Sequence, residues 1–205
     1  MKKLIYSIIA IAMICCAFST AAQNRWNITA GGSISHQTYE LLDGYSVGWG
    51  GGAFLNGGYE LNFNKNWSLT PQIEIEYINN GAVIKNKLIN DISHSTWRDF
   101  WNLKIPVIAS FRFKTSDFVG FRFGVGPYLQ ESLAGRKYKY IRTEEKEKES
   151  MHGSFQNRFN VGIQGEAAVE TGNHFSYMFR VNYPFAKENW MGETITLSLG
   201  IRYSF

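Results

Sequence analysis

Three groups of side chains in this sequence have types and spacings that could do chemistry. His152 and Ser154, with Glu166 twelve residues beyond the serine, are the ingredients of a hydrolytic triad, in which a base activates a hydroxyl and a carboxylate orients the base. On one extended strand, however, twelve residues span roughly 40 Å, so another carboxylate would have to complete the set. His36, His94, His152 and His174 lack ligand-type spacing and have no cysteine to help them, which points to solvated histidines rather than a metal site. GWGGGA, residues 48 to 53, fits a GxGxxA dinucleotide pattern, but no helix follows it and no βαβ unit surrounds it. It reads instead as a glycine-rich strand. The mixed-charge stretch RKYKYIRTEEKEKES, residues 136 to 150, is the most polar part of the chain and reads first as a solvated loop or hairpin, with a partner or lipopolysaccharide-phosphate contact as the sharper alternative. No catalytic, cofactor-binding or metal-ligating residue is assigned from these candidates, no cofactor is expected, and an enzyme is not the expected outcome.

The elements that would have to position such residues follow a period of two, not 3.6. In the first run Trp26, Ile28, Ala30, Gly32 and Ile34 oppose Asn27, Thr29, Gly31 and Ser33. In the third, Trp67, Leu69, Pro71, Ile73, Ile75 and Tyr77 oppose Ser68, Thr70, Gln72, Glu74 and Glu76. Runs of this kind recur eight times, the last being ETITLSLGIRYSF at the C-terminus. Short polar turns, NKN at 64 to 66, KTSD at 114 to 117 and ETGN at 170 to 173, alternate with longer segments near 36 to 44, 79 to 95, 132 to 152 and 184 to 193. Short inner turns, longer outer loops and strands of about 10 alternating residues are the pattern of an outer-membrane barrel. A bilayer imposes it because backbone groups facing hydrocarbon must all be paired, which only helices and closed sheets achieve.

Residues 1 to 22 fit a cleaved signal peptide, with Lys2 and Lys3, an apolar stretch of roughly 15 residues and a Ser-Thr-Ala-Ala tract. Such a stretch is short for a membrane-spanning helix, which needs about 20. Both cysteines, Cys15 and Cys16, lie inside it, so the remainder, 23 to 205, cannot be a disulfide scaffold. Without Lys2 and Lys3, 19 basic side chains face 17 acidic ones, a balance that gives no reason to expect nucleic acid.

Parity alone leaves a soluble lipocalin-like barrel as a rival, its apolar face lining a ligand cavity. The kind of polar residue decides. Strand interiors carry Arg98, Arg112, Arg122, Arg158, Arg180 and Arg202 among Gly, Ser and Asn, and guanidinium groups paired with Glu60, Glu74, Glu76 and Glu166 suit a filled lumen better than a wet surface. Eight strands leave room for side chains but not for an aqueous channel. Trp26, Trp67, Trp97, Trp101, Tyr77, Tyr183, Tyr203 and Phe205 fall near strand ends, as interface belts require.

LKIPVIASFRF (103 to 113), GFRFGVGPYL (120 to 129) and LSLGIRYSF (197 to 205) resemble the small outer-membrane β-barrel family common in Bacteroidota, the PorT-like outer membrane protein β-barrel domain. The resemblance implies an all-β fold, an eight-stranded antiparallel up-and-down transmembrane barrel, in the outer membrane of a Gram-negative cell. It also implies that the terminal aromatic strand is read by the outer-membrane insertion machinery. It brings no catalytic residues. The partners expected are outer-membrane lipid and lipopolysaccharide, that machinery, and a protein at the extracellular loops. The role expected is structural, adhesive or interactive; an accessory role in protein secretion or outer-membrane biogenesis and a membrane-embedded lipid hydrolase are the alternatives.

Overall fold

The computed structural model describes residues 24–41, 44–85, 93–116, 118–141, 159–172, 174–185 and 194–205; side chains within 37–47, 81–98 and 136–141 lie outside that description. Eight strands follow the alternating runs: β1 (Arg25–Leu41), β2 (Gly44–Asn62), β3 (Trp67–Lys85), β4 (Ser93–Lys114), β5 (Val119–Ile141), β6 (Phe159–Thr171), β7 (Phe175–Pro184) and β8 (Thr194–Ser204). Each pairs antiparallel with the next, and β8 closes on β1 from Asn27↔Ser204 to Gln37↔Thr194. Closure pairs every ladder and leaves no edge, the condition for burying strands in hydrocarbon.

The three short turns gather at one end with both ends of the barrel sequence. Asn64 Oδ1 accepts from the amides of Asn66 and Trp67, each at 2.8 Å, and Ser116 Oγ accepts from those of Phe118 at 3.3 Å and Val119 at 3.1 Å. These side chains mimic a backbone turn, which is why Asn and Ser occupy those positions. Gly172 takes φ +67° in the third turn. The last residue is tied in as well, since the Phe205 amide donates to the Trp26 carbonyl at 2.9 Å.

Polar side chains point into the barrel and apolar ones away from it. Asn27, Thr29, Gln72, Glu74, Gln164, Arg180 and Arg202 are buried, whereas Trp26, Ile73, Leu199 and Ile201 are more than half exposed. That orientation is the reverse of a lipocalin's. The outward apolar face has visible limits. On β3 it runs from Trp67 to Tyr77, ten residue steps or about 33 Å of strand, which at the tilt of about 40° usual in barrels stands about 25 Å tall, the height of an outer-membrane apolar band. Aromatic pairs mark both levels: Trp67 against Phe111 at 5.1 Å, and Tyr77 against Trp101 at 5.2 Å. One register step beyond the upper pair the outward face turns polar, with Asn79 donating its amide to Asp99.

The outer ends differ from the loops expected there. β1 and β2 stay paired to Leu41↔Gly44, β3 and β4 to Lys85↔Ser93, and β4 and β5 to His94↔Ile141. The described residues of segments 36 to 44 and 79 to 95, and of the first part of 132 to 152, are therefore strand. The alternation that reveals a strand fades there because beyond the membrane both faces meet water. A bulge between Trp101 and Asn102, opposite Ala134 and Ser132, leaves Leu133 as the extra residue where the ribbon leaves the barrel wall; such bulges bend a strand. β6, β7 and β8 are shorter, at 13, 10 and 11 residues. Residues 155 to 158, included in the sixth alternating run, lie outside the described residues.

Candidate functional site

The lumen is the one place where strands from the whole barrel converge, and it has three levels. At the level of the short turns Arg112 and Arg122 stand directly opposite each other on β4 and β5, a like-charge pairing that would ordinarily destabilise a sheet. Two carboxylates resolve it, Glu60 from β2 and Glu170 from the neighbouring β6. Glu60 accepts from Arg112 at 2.8 Å and Arg122 at 3.1 Å. Glu170 lies at 2.8 Å from Arg112 and 2.6 Å from Arg122. The four make a closed ring of alternating charge, with Arg25 adding a longer pair to Glu60 at 3.8 Å.

The middle level is a chain of alternating charge across the lumen: Glu76, Lys104, Glu74, Arg180, Glu166, Arg202. Lys104 pairs with Glu76 and lies 3.8 Å from Glu74; Arg180 pairs with Glu74 and reaches Glu166 at 3.4 Å; Arg202 donates to Glu166 at 2.9 Å. Gln164 also donates to Glu166, at 2.8 Å, and Asn56 to Gln72 at 2.7 Å. The Arg180 guanidinium lies 4.5 Å from the Phe54 ring centroid, a cation–π contact on the weakly hydrated cation best suited to one. Ions this deep persist only when paired. Carboxylates Glu60, Glu74, Glu76, Glu166 and Glu170 here meet cations Lys104, Arg112, Arg122, Arg180 and Arg202. The result is a plug rather than a pore.

Above the plug lies a small cup with a cavity volume of about 60 Å³, lined among others by Asn102, Tyr128, Asn160, Asn182 and Thr196, with Lys104 at its floor. Apart from Lys104 its lining is uncharged: amides, hydroxyls, two aromatic rings, Ile78 and Pro184.

Of the residues the sequence singled out, Arg112, Arg122, Arg180 and Arg202 do enter the lumen and meet Glu60, Glu74 and Glu166. The Arg98 side chain and Arg158 lie outside the described residues, as do His152, Ser154 and most of 136 to 150. Glu166, the candidate triad carboxylate, is committed to Arg202, Arg180 and Gln164. His36 stacks beside Trp49 at 4.5 Å near the outer end, while His174 Nδ1 sits 2.8 Å from the Ser204 carbonyl at the other; the His94 side chain is outside the description. Among the described residues no group of three or more His, Cys, Asp or Glu side chains could hold a metal ion. In GWGGGA, a Cβ on Gly50 would meet the Asn79 carbonyl at 1.9 Å and one on Gly52 the Tyr77 carbonyl at 2.2 Å, so these glycines serve close strand packing.

Sequence reading missed Glu170 and the part played by Lys104. Glu170 had been assigned to the turn ETGN, yet it keeps the inward parity of Gln164, Glu166 and Ala168, so one further step of alternation would have found it. Phe54, Ile78, Phe100, Ile108, Tyr128 and Met178 also point inward and are buried, apolar exceptions on a polar face.

A family model described as the outer membrane protein beta-barrel domain matches residues 21–189. The chain belongs to that family. It is a bacterial outer-membrane β-barrel protein of the Gram-negative, porin-like kind, in contact with outer-membrane lipid and lipopolysaccharide. Solved structures similar to this family member include the Yersinia pestis attachment invasion locus protein Ail (14% identity, 90% of this chain and 100% of that one, TM-score 0.41). Others are the Neisserial surface protein NspA (15%, 90% and 100%, 0.46) and OprG of Pseudomonas aeruginosa (12%, 92% and 98%, 0.49). A search of curated protein sequences gives no match.

Proposed function

We propose that this outer-membrane barrel acts by binding at its outer end, in a structural, adhesive or interaction role, and not by passing solutes. The observation that carries the reading is the plug: two levels of paired charge fill the lumen, so what the protein does must happen at its ends. The outer end is the more elaborated of the two. Beyond the Tyr77–Trp101 belt, β3 continues eight residues to Lys85 and β4 starts eight residues earlier at Ser93, a ribbon of about 26 Å along the strand. β5 rises beside it, against shorter β6 to β8. A protein partner fits such a ribbon, since elements raised clear of the membrane carry recognition. Residues 1 to 22 act in this proposal as the cleaved signal, and Phe205 as the end read by the insertion machinery; its ring stands exposed, edge-on to Tyr203 at 5.0 Å.

The test pairs two measurements. Purified barrel in planar bilayers is expected to show no steady conductance. Cells producing the chain with residues 82 to 96 replaced by a two-residue turn are expected to lose attachment to protein-coated surfaces while the barrel still folds. Sustained solute conductance by the intact barrel, or attachment unaffected by the trimming, would overturn the proposal.

A further inference from the structure

Polar atoms without a hydrogen-bond partner occur through the lumen, on Glu76, Gln164 and Arg180 among others, but those of two amides open onto the cup. Asn182, 2% exposed on β7, has neither its amide nitrogen nor its amide oxygen bonded to a described residue, and the amide oxygen of Asn160, 7% exposed on β6, is likewise unpartnered. Both line the cup. Buried polar atoms are nearly always satisfied, so adjacent donor and acceptor atoms on a fixed amide describe the group they are shaped to meet.

Other cup residues are held in place. Ser132 Oγ donates to Asn102 Oδ1 at 2.9 Å and Ser35 to Asn80. Tyr128 leans across Gly162, where a Cβ would meet its ring at 2.4 Å, and Lys104 Nζ lies 5.6 Å from the Tyr128 ring centroid. The cup is thus a preorganised wall of amides and hydroxyls beside a buried ring.

We infer that the outer cup is a binding site for the vicinal hydroxyls of a neutral polyol, seated edge-first on Asn182 and Asn160. One hydroxyl accepts from Asn182 Nδ2 while its neighbour donates to Oδ1, and Asn160 Oδ1 takes a second donor. The volume suffices: about 60 Å³ is several times the roughly 10 to 15 Å³ that one water-sized group needs, room for the two hydroxyls and the ring edge that carries them. Charge argues against an anion, because Lys104, the one cation among the described residues lining the cup, is already paired with Glu76 and Glu74. An apolar ligand would strand the amides. This goes beyond the outer-end reading by naming a site and a ligand class, and the ribbon could bind a partner whether or not the cup takes a polyol.

Saturation-transfer NMR on the full barrel folded in a phosphocholine detergent tests it, with methyl α-glucoside as the saccharide probe and glycerol as the free-polyol probe. Transfer to the glucoside is expected, insensitive to added salt, and about thirtyfold weaker in Asn182→Leu, the size of two lost hydrogen bonds. Asn160→Leu serves as a second variant if Asn182→Leu does not fold, and heat-modifiable gel migration reports folding in either. Asn182-dependent transfer to glycerol alone assigns the same site to free polyols. No transfer to either probe, or transfer unchanged in the folded variants, would overturn the inference and leave the cup to water. A result of that kind would not touch cell attachment through the ribbon.

Discussion

The plug and the cup are built from the same strands on the same inward face, yet they obey different rules. In the plug every charged side chain has a partner of opposite sign, and the two opposed arginines, Arg112 and Arg122, are bridged twice over. Amides follow no such rule: Asn182 in the cup, like Asn27 lower in the lumen, is buried with neither amide atom hydrogen-bonded to a described residue. The difference lies in cost. An unpaired ion in a low-dielectric lumen is penalised by several kcal/mol, so a stable barrel can hold ions only as a completed network. An unpaired amide costs about 1 to 3 kcal/mol, a debt a folded protein can carry and a ligand can relieve.

The sharpest way to break this comparison is to remove an internal link of the plug. Arg180→Met leaves Glu74 with the 3.8 Å approach of Lys104 and a 3.3 Å bond from the Asn56 amide, and Glu166 with Arg202 and Gln164. The expected loss is about 3 to 5 kcal/mol of unfolding free energy, measured by urea titration in lipid vesicles. A loss below about 1 kcal/mol would mean that water screens the middle level and the charges there need no completed network.

The lipid face supplies the next largest effect. Leu199 is 68% exposed and lies opposite Phe179 and Gly32 in the ladders, four residues above the Tyr203 belt. Leu199→Arg should cost about 2 to 4 kcal/mol if this level is near the bilayer midplane. The same titration checks it, and an unchanged free energy would put the residue outside hydrocarbon.

Much of this was legible in the sequence, for a physical reason. A residue period of two with a lipid face on one side and a lumen on the other separates side chains so cleanly that strand number, parity, closure and four of the lumen arginines follow from it. What was lost lies where that separation weakens. Above the belts both faces meet water, so paired strands such as 79 to 85 read as loop. At the lower turn Glu170 reads as loop for the same reason, though its carboxylate closes the ring around Arg112 and Arg122. Lys104 falls on the polar face of its run, but its partners Glu74 and Glu76 become visible only when the ladder sets β3 beside β4. The cup was invisible because Asn160 and Asn182 become a site only when the ladder sets β6 and β7 side by side, and the inward Phe54 makes sense only once Arg180 is seen over its ring.

The smallest expected effect is the most informative about the cup. Replacing Asn182 by leucine removes a buried amide whose two polar atoms have no described partner, and deleting such atoms without leaving another group orphaned is close to neutral or stabilising. The neighbours across the ladders, Gln164 and Thr196, keep their places, and the leucine is of nearly the same size. Unfolding free energy of Asn182→Leu should therefore stay within about 1 kcal/mol of the wild type, in contrast to Arg180→Met two positions earlier on the same strand. A loss as large as that of Arg180→Met would show that Asn182 belongs to the plug's network, and the boundary between a sealed lumen and an open cup would then have to move outward.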